Sequence, residues 1–410
     1  MDPALAGARA WLRGAGLVLA LGAFAWAASP ALADGPGVGT PNVVTLGDSY
    51  ISGESGRWAG NTANGEQYVD ALGSTAYFDN STNSGELIPN CHRAKSAEAF
   101  IGGGVAGKNF ACSGAKTSSF TNGDGDWKPG IDFYDDGAGH QGQAKLLQNY
   151  AATHNVKLVV VSIGGNNYNF ADIVTDCVED FLYSPSWWKD YCKDDDVVTS
   201  NFTSTNISNQ TAAIKNALLR VRTAMTNAGY SSSQWTLLVQ DYPSPIPKGA
   251  GFRYSESGYT RQSTGGCGFW NADADWANTY ALPTINNSVK NAAAQTGMTN
   301  YKVLEIQSAF NGRRLCENTV GRLEEAGVTY WNEPGAVDKV EWFQGIRTVT
   351  ASYTDYYVQE SAHPDYYAQK ALRNCVRRAY NGGAPVGGSC TRSTGLNGSG
   401  EPNMTFTSTG

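Results

Sequence analysis

The chain reads as an α/β protein, a three-layer α/β/α sandwich around a central parallel sheet, and two observations carry that reading. Short apolar runs rich in β-branched residues recur at 43–46, 158–163, 235–239 and 301–306, bounded by Gly, Pro or Asn, and their length suits buried strands. Helical periodicities lie between or after them, at 141–152, 206–227, 273–296 and 364–380. Strands separated by such long crossovers pair in parallel, with helices on both faces. Ligands of such sheets bind beyond the carboxyl ends of the strands, which directs attention to the segments that follow each run.

Before the first strand, residues 1–33 read as an export signal. Arg9 and Arg13 precede an apolar stretch at 16–28, and Ala31-Leu32-Ala33 offers small residues for cleavage. That stretch is too short to cross about 30 Å of hydrocarbon and no later segment is long enough, so no membrane span is expected. The mature chain is expected to be secreted, and a monomer is expected. Residues 34–410 are read as one domain with generous insertions. A net charge of −7 speaks against nucleic acid as a partner. Abundant Gly, Tyr and Trp suggest long ordered loops pinned by rings.

All eight cysteines, Cys91, Cys112, Cys177, Cys192, Cys267, Cys316, Cys375 and Cys390, follow the signal, and an even number in an exported chain reads as disulfides. Zinc is the competing reading, but there is no CxxC and no His at ligand spacing from a Cys pair. Pairing in sequence order would clip four local loops, although eight thiols allow 105 connectivities and the sequence does not choose. Residues 122–139 crowd Asp124, Asp126, Asp132, Asp135 and Asp136 among glycines. The spacing resembles the start of a calcium loop, but Trp127 stands where Gly is required and Phe133 where Glu closes the loop, so a solvated acidic loop is expected. The tail 381–410, rich in Gly, Ser, Thr and Asn, reads as loosely held.

Just after the first run comes Gly47-Asp48-Ser49-Tyr50, which sets a serine on the turn at a strand's end. Asp48-Ser49 could equally be only a helix cap. Serine needs a base to become nucleophilic, and there are only four histidines, His92, His140, His154 and His363. The first adjoins Cys91 and Arg93 in an expected disulfide loop, and the next two flank a predicted helix. His363 precedes Pro364, a residue favoured in a helix's first turn, and Glu360, three residues earlier, could reach its ring and fix the tautomer. Donors for a developing oxyanion could come from Gly164-Gly165-Asn166-Asn167, after the second run, and from Ser113-Gly114-Ala115.

These four segments, in this order, resemble the four consensus blocks of the SGNH (GDSL-type) hydrolases. The resemblance implies Ser49 as nucleophile, His363 as base, and the Ser49 amide, Gly114 and Asn166 as the oxyanion hole, with no metal or organic cofactor. The surroundings of Cys91 and Cys112 also resemble secreted actinobacterial lipases and phospholipases of that class. Two departures stand out: Glu360 replaces the usual Asp, and Asp365 follows Pro364 where Asn is common. Some relatives orient the histidine by a backbone carbonyl, so the third member stays open. The implied activity is hydrolysis of acyl esters, with small-molecule, lipid or glycan esters as substrates. Deacetylation of a polysaccharide is the alternative, and a catalytically inactive binding module is the alternative of another class. Trp58, Trp187, Trp188, Trp270 and Tyr168 are candidates to meet sugar or acyl groups, or to anchor loops.

Overall fold

A computed structural model describes residues 34–347 and 360–409, so the expected export signal lies outside the described residues. The described residues form nine strands: β1 (Pro41–Gly47), β2 (Ala106–Asn109), β3 (Phe120–Thr121), β4 (Trp127–Lys128), β5 (Asn155–Ser162), β6 (Thr236–Gln240), β7 (Tyr301–Glu305), β8 (Gly388–Leu396) and β9 (Pro402–Ser408). Seven form one sheet in the order β2-β1-β5-β6-β7-β8-β9, parallel throughout except for the β8–β9 pair, while β3 and β4 make a separate small hairpin. The four apolar runs are β1, β5, β6 and β7. Val43, Val44, Leu158, Val159 and Leu237 are wholly buried, as strands covered on both faces require. The fold is thus the expected α/β class with a mostly parallel central sheet.

The helices at Gln143–Ala151 (α2), Ser204–Asn227 and Leu282–Gln295 pack side by side, and Tyr366–Tyr380 lies against β9. The periodicity at 273–296 is broken by one wide turn, Ala277–Ala281. Pro283 has no N–H for the carbonyl of Thr279, so the ladder loosens there by one residue. All four disulfides join cysteines in sequence order: Cys91–Cys112, Cys177–Cys192, Cys267–Cys316 and Cys375–Cys390.

Residues 388–408, expected to be part of a loose tail, instead form the antiparallel β8–β9 hairpin at the sheet edge. The Ser and Thr residues that suggested a loose end tolerate the half-exposed face of an edge strand. The segment is tied to the preceding helix by Cys375–Cys390 and by Arg377, which pairs with Glu401. In the acidic loop the carboxylates are spent locally: Asp132 accepts from Ser119, Asp136 from His140, and Asp135 from Gln141.

Candidate active site

Three neighbouring parallel strands, β2, β1 and β5, end on the same edge, and each hands over to one of the segments singled out in the sequence. From β2 the chain reaches Cys112 and Gly114; from β1, Ser49; from β5, Asn166. At the end of β1, Gly47 has φ 142°, and a Cβ there would stand 1.8 Å from the Ser162 carbonyl oxygen, so only glycine fits. The next residues form a single helical turn, α1 (Ser49–Ser52), capped by Asp48, whose carboxylate accepts from the Tyr50 amide at 3.2 Å. The cap and the presentation of Ser49 are therefore one arrangement rather than rival readings. Asp48 is completely enclosed and also accepts from Tyr242, and burial pushes its pKa up to about 7.

His363 reaches Ser49 from 314 positions away, its Nε2 2.7 Å from Ser49 Oγ. Its Nδ1 lies 2.8 Å from the Ser361 carbonyl oxygen. A carbonyl can only accept, so Nδ1 carries the ring proton and Nε2 presents a lone pair to the serine hydroxyl. The histidine is held by strained backbone: Ala362 sits at φ 61°, its amide donates to Gln344, and its carbonyl accepts from Tyr50 Oη at 3.0 Å.

Glu360 is not brought to the histidine. Its side chain turns into the core, where it accepts from the Trp58 indole N–H, and burial raises its pKa to about 7. The carbonyl of Ser361 occupies the position at Nδ1 that a carboxylate would take. Instead, a residue the sequence reading passed over, Glu54, approaches from the other side. Its Oε2 lies 3.4 Å from His363 Nε2 and accepts from Ser113 Oγ at 2.5 Å, while its Oε1 faces His92 Nδ1 at 3.3 Å. Burial alone would raise the pKa of Glu54, but attraction to His363 and the bonds from His92 and Ser113 bring it down to about 2. Burial likewise opposes charge on His92, and the bond to Glu54 overcomes it, raising His92 to about 9. A lone carboxylate five residues past the serine, across Gly53 in the left-handed region, was the available signal.

Asn166 lies on the turn Gly165–Tyr168 after β5, and its Nδ2 donates to the Ala115 carbonyl at 3.0 Å, leaving its second hydrogen free to point elsewhere. Gly114, Asn166, Ser49, Glu54 and His363 all line one cavity of about 450 Å³. One wall of this cavity is α3 (Phe170–Tyr183), whose Phe170, Val174, Val178 and Leu182 recur every fourth residue along it. This helix is not among those expected from the sequence, although its spacing of apolar residues is regular. His140 and His154 stand apart, bonded to Asp136 and to the Tyr150 carbonyl. Trp58, Trp270 and Tyr168 are core anchors; Trp187 and Trp188 are exposed.

Solved structures similar to this chain include an extracellular lipase from Streptomyces rimosus, at 20% identity over 83% of this chain and 98% of that one, with a TM-score of 0.41. A phospholipase A1 from Streptomyces albidoflavus follows at 17% identity, 83% and 99% coverage and a TM-score of 0.39. A carbohydrate acetylesterase from Sinorhizobium meliloti matches at 12% identity, 65% and 84% coverage and a TM-score of 0.28. No family model matches the chain, and no curated relative does. Likeness of this degree leaves the assignment of chemistry to the chain's own residues.

Proposed function

We propose that the chain is a secreted serine ester hydrolase of SGNH type, with Ser49 as nucleophile and His363 as base. The observation that carries this reading is the 2.7 Å contact between His363 Nε2 and Ser49 Oγ, with the ring oriented by a carbonyl at Nδ1. Ser49 Oγ attacks the ester carbonyl carbon as its proton passes to His363 Nε2. The oxyanion is held by the amides of Ser49 and Gly114 and by Asn166 Nδ2. The C–O bond to the alcohol then breaks, His363 returns its proton to the leaving oxygen, and a water activated by the same ring releases the acid. The protonated ring is stabilised from one side by the Ser361 carbonyl and from the other by the charge on Glu54. The apolar wall of α3 favours a hydrocarbon acyl group over a sugar as the part bound beside Ser49.

Removing the Asn166 donor is expected to lower kcat on p-nitrophenyl esters by roughly 100- to 1000-fold with a smaller change in KM. A chain-length series assayed with wild type and Asn166→Ala checks this. Equal kcat values would remove Asn166 from the oxyanion hole, and a preference for acetyl over longer chains would favour the carbohydrate acetylesterase reading.

A further inference from the structure

The three most exposed large rings among the described residues follow one another closely in sequence at the end of α3. Tyr183, Trp187 and Trp188 are 83%, 83% and 73% exposed, whereas Trp58, Trp270 and Trp342 are fully buried. Tyr183 also forms part of the cavity wall, and Trp187, four residues on, is at most about 14 Å along the chain from it. The segment carrying them is clamped in place. Ser184 accepts from the Trp270 indole N–H at 3.3 Å, Lys189 pairs with Glu256 and sits over the Trp270 ring, and Cys192 is tied to Cys177 in α3. The rings are thus presented by a pinned arc of chain that leaves α3 just past Leu182, the last residue of the apolar stripe Phe170, Val174, Val178 and Leu182.

Carboxylates outnumber lysines around them. Glu179, Asp190, Asp194 and Asp196 are exposed on the same helix end and loop, with Lys193 paired to Asp194, and the carboxylates of Asp176, Asp180 and Asp195 lie within 4.8 Å of one another, where burial and mutual repulsion raise Asp176 and bring Asp180 up to about 7. Such a surface repels anionic lipid. Aromatic faces among carboxylates suit a quaternary ammonium group, and Trp and Tyr are the residues that settle at the level of lipid headgroups.

We propose that Tyr183, Trp187 and Trp188 dock the protein on a lipid–water interface carrying choline headgroups, with the cavity opening onto it. The proposal builds on the ester-hydrolase reading, and its test separates the two. Full-length mature chain bearing Ser49→Ala, with and without W187A/W188A, is sedimented with vesicles of phosphatidylcholine and, separately, of phosphatidylglycerol. In parallel, wild type and W187A/W188A are assayed on p-nitrophenyl acetate in solution. The expected result is partition onto phosphatidylcholine, reduced at least tenfold by W187A/W188A, weaker partition onto phosphatidylglycerol, and hydrolysis of the soluble ester within twofold of wild type. Equal partition with and without the two tryptophans, tighter binding to phosphatidylglycerol, or failure of the parent to bind phosphatidylcholine overturns the docking surface. So does retention on insoluble xylan that W187A/W188A abolishes, which would make the rings a sugar platform. Absence of soluble ester hydrolysis in wild type would instead count against the role of Ser49, while the partition result would stand by itself.

Discussion

Ser49→Ala is expected to reduce kcat for p-nitrophenyl ester hydrolysis by on the order of 10⁶-fold, leaving only the rate that binding and the oxyanion donors supply. The loss is large because the hydroxyl is the atom that bonds to carbon, and nothing else lining the cavity can replace it at 2.7 Å from His363 Nε2. Glu54 lies near the same nitrogen, but its pKa near 2 makes it a poor nucleophile and a poor base at neutral pH. His363→Ala should fall almost as far, and the double variant no further than the worse single one, since the pair acts as a unit. The thermal midpoint of Ser49→Ala should stay close to wild type, because the only side-chain bond lost is to a ring that keeps its Ser361 contact. Retention of more than about a hundredth of wild-type kcat by a pure Ser49→Ala preparation would exclude it as the nucleophile.

The parts of this site that follow strand ends were legible because strands covered on both faces spell themselves out in consecutive apolar residues. Val43–Leu46 and Leu158–Ile163 point directly to Ser49 and Asn166. The strand leading to Gly114 was not legible: β2 reads Ala-Gly-Lys-Asn, and only pairing with β1 makes it a strand. The direction of Glu360 was equally hidden, because it is decided by Trp58, 302 positions away, whose indole N–H takes the carboxylate into the core. Three-residue spacing from a histidine brings a side chain near, but it does not say which way the intervening turn faces, and here Ala362 in the left-handed region sets that turn. The helix α3 lay open to reading, with Phe170, Ile173, Val174, Cys177, Val178, Phe181 and Leu182 at helical spacing. Glu54 was the harder case, since its importance comes from His92 and Ser113, which the Cys91–Cys112 bridge holds against α1.

Glu54→Gln is expected to cost about 3–5 kcal/mol of stability near pH 5.5, as removal of one partner from a buried ion pair does. The pH dependence identifies the cause. Glu54 falls from an ordinary 4.5 to about 2 in the folded chain, so its contribution is complete above 4.5 and is lost as the pH drops toward 2. His92 rises from an ordinary 6.5 to about 9, so its contribution is complete below 6.5 and is lost as the pH climbs through 9. Both are at full strength only between about pH 4.5 and 6.5. In the glutamine variant His92 keeps its burial but loses the charge at 3.3 Å, with Glu86 at 3.9 Å and the more distant Glu360 as its remaining acidic neighbours. Charging His92 then becomes unfavourable, and the difference in thermal midpoint between wild type and variant should be widest near pH 5.5 and narrow steadily toward pH 9. Activity should fall as well, because the proton that His363 takes from Ser49 is held within 3.4 Å of the Glu54 carboxylate. Melting curves of both proteins at half-unit steps from pH 4.5 to 9 are the measurement. A constant offset across that range would mean that Glu54 acts by packing alone, and that the charge beside His363 Nε2 has no part in holding the site together.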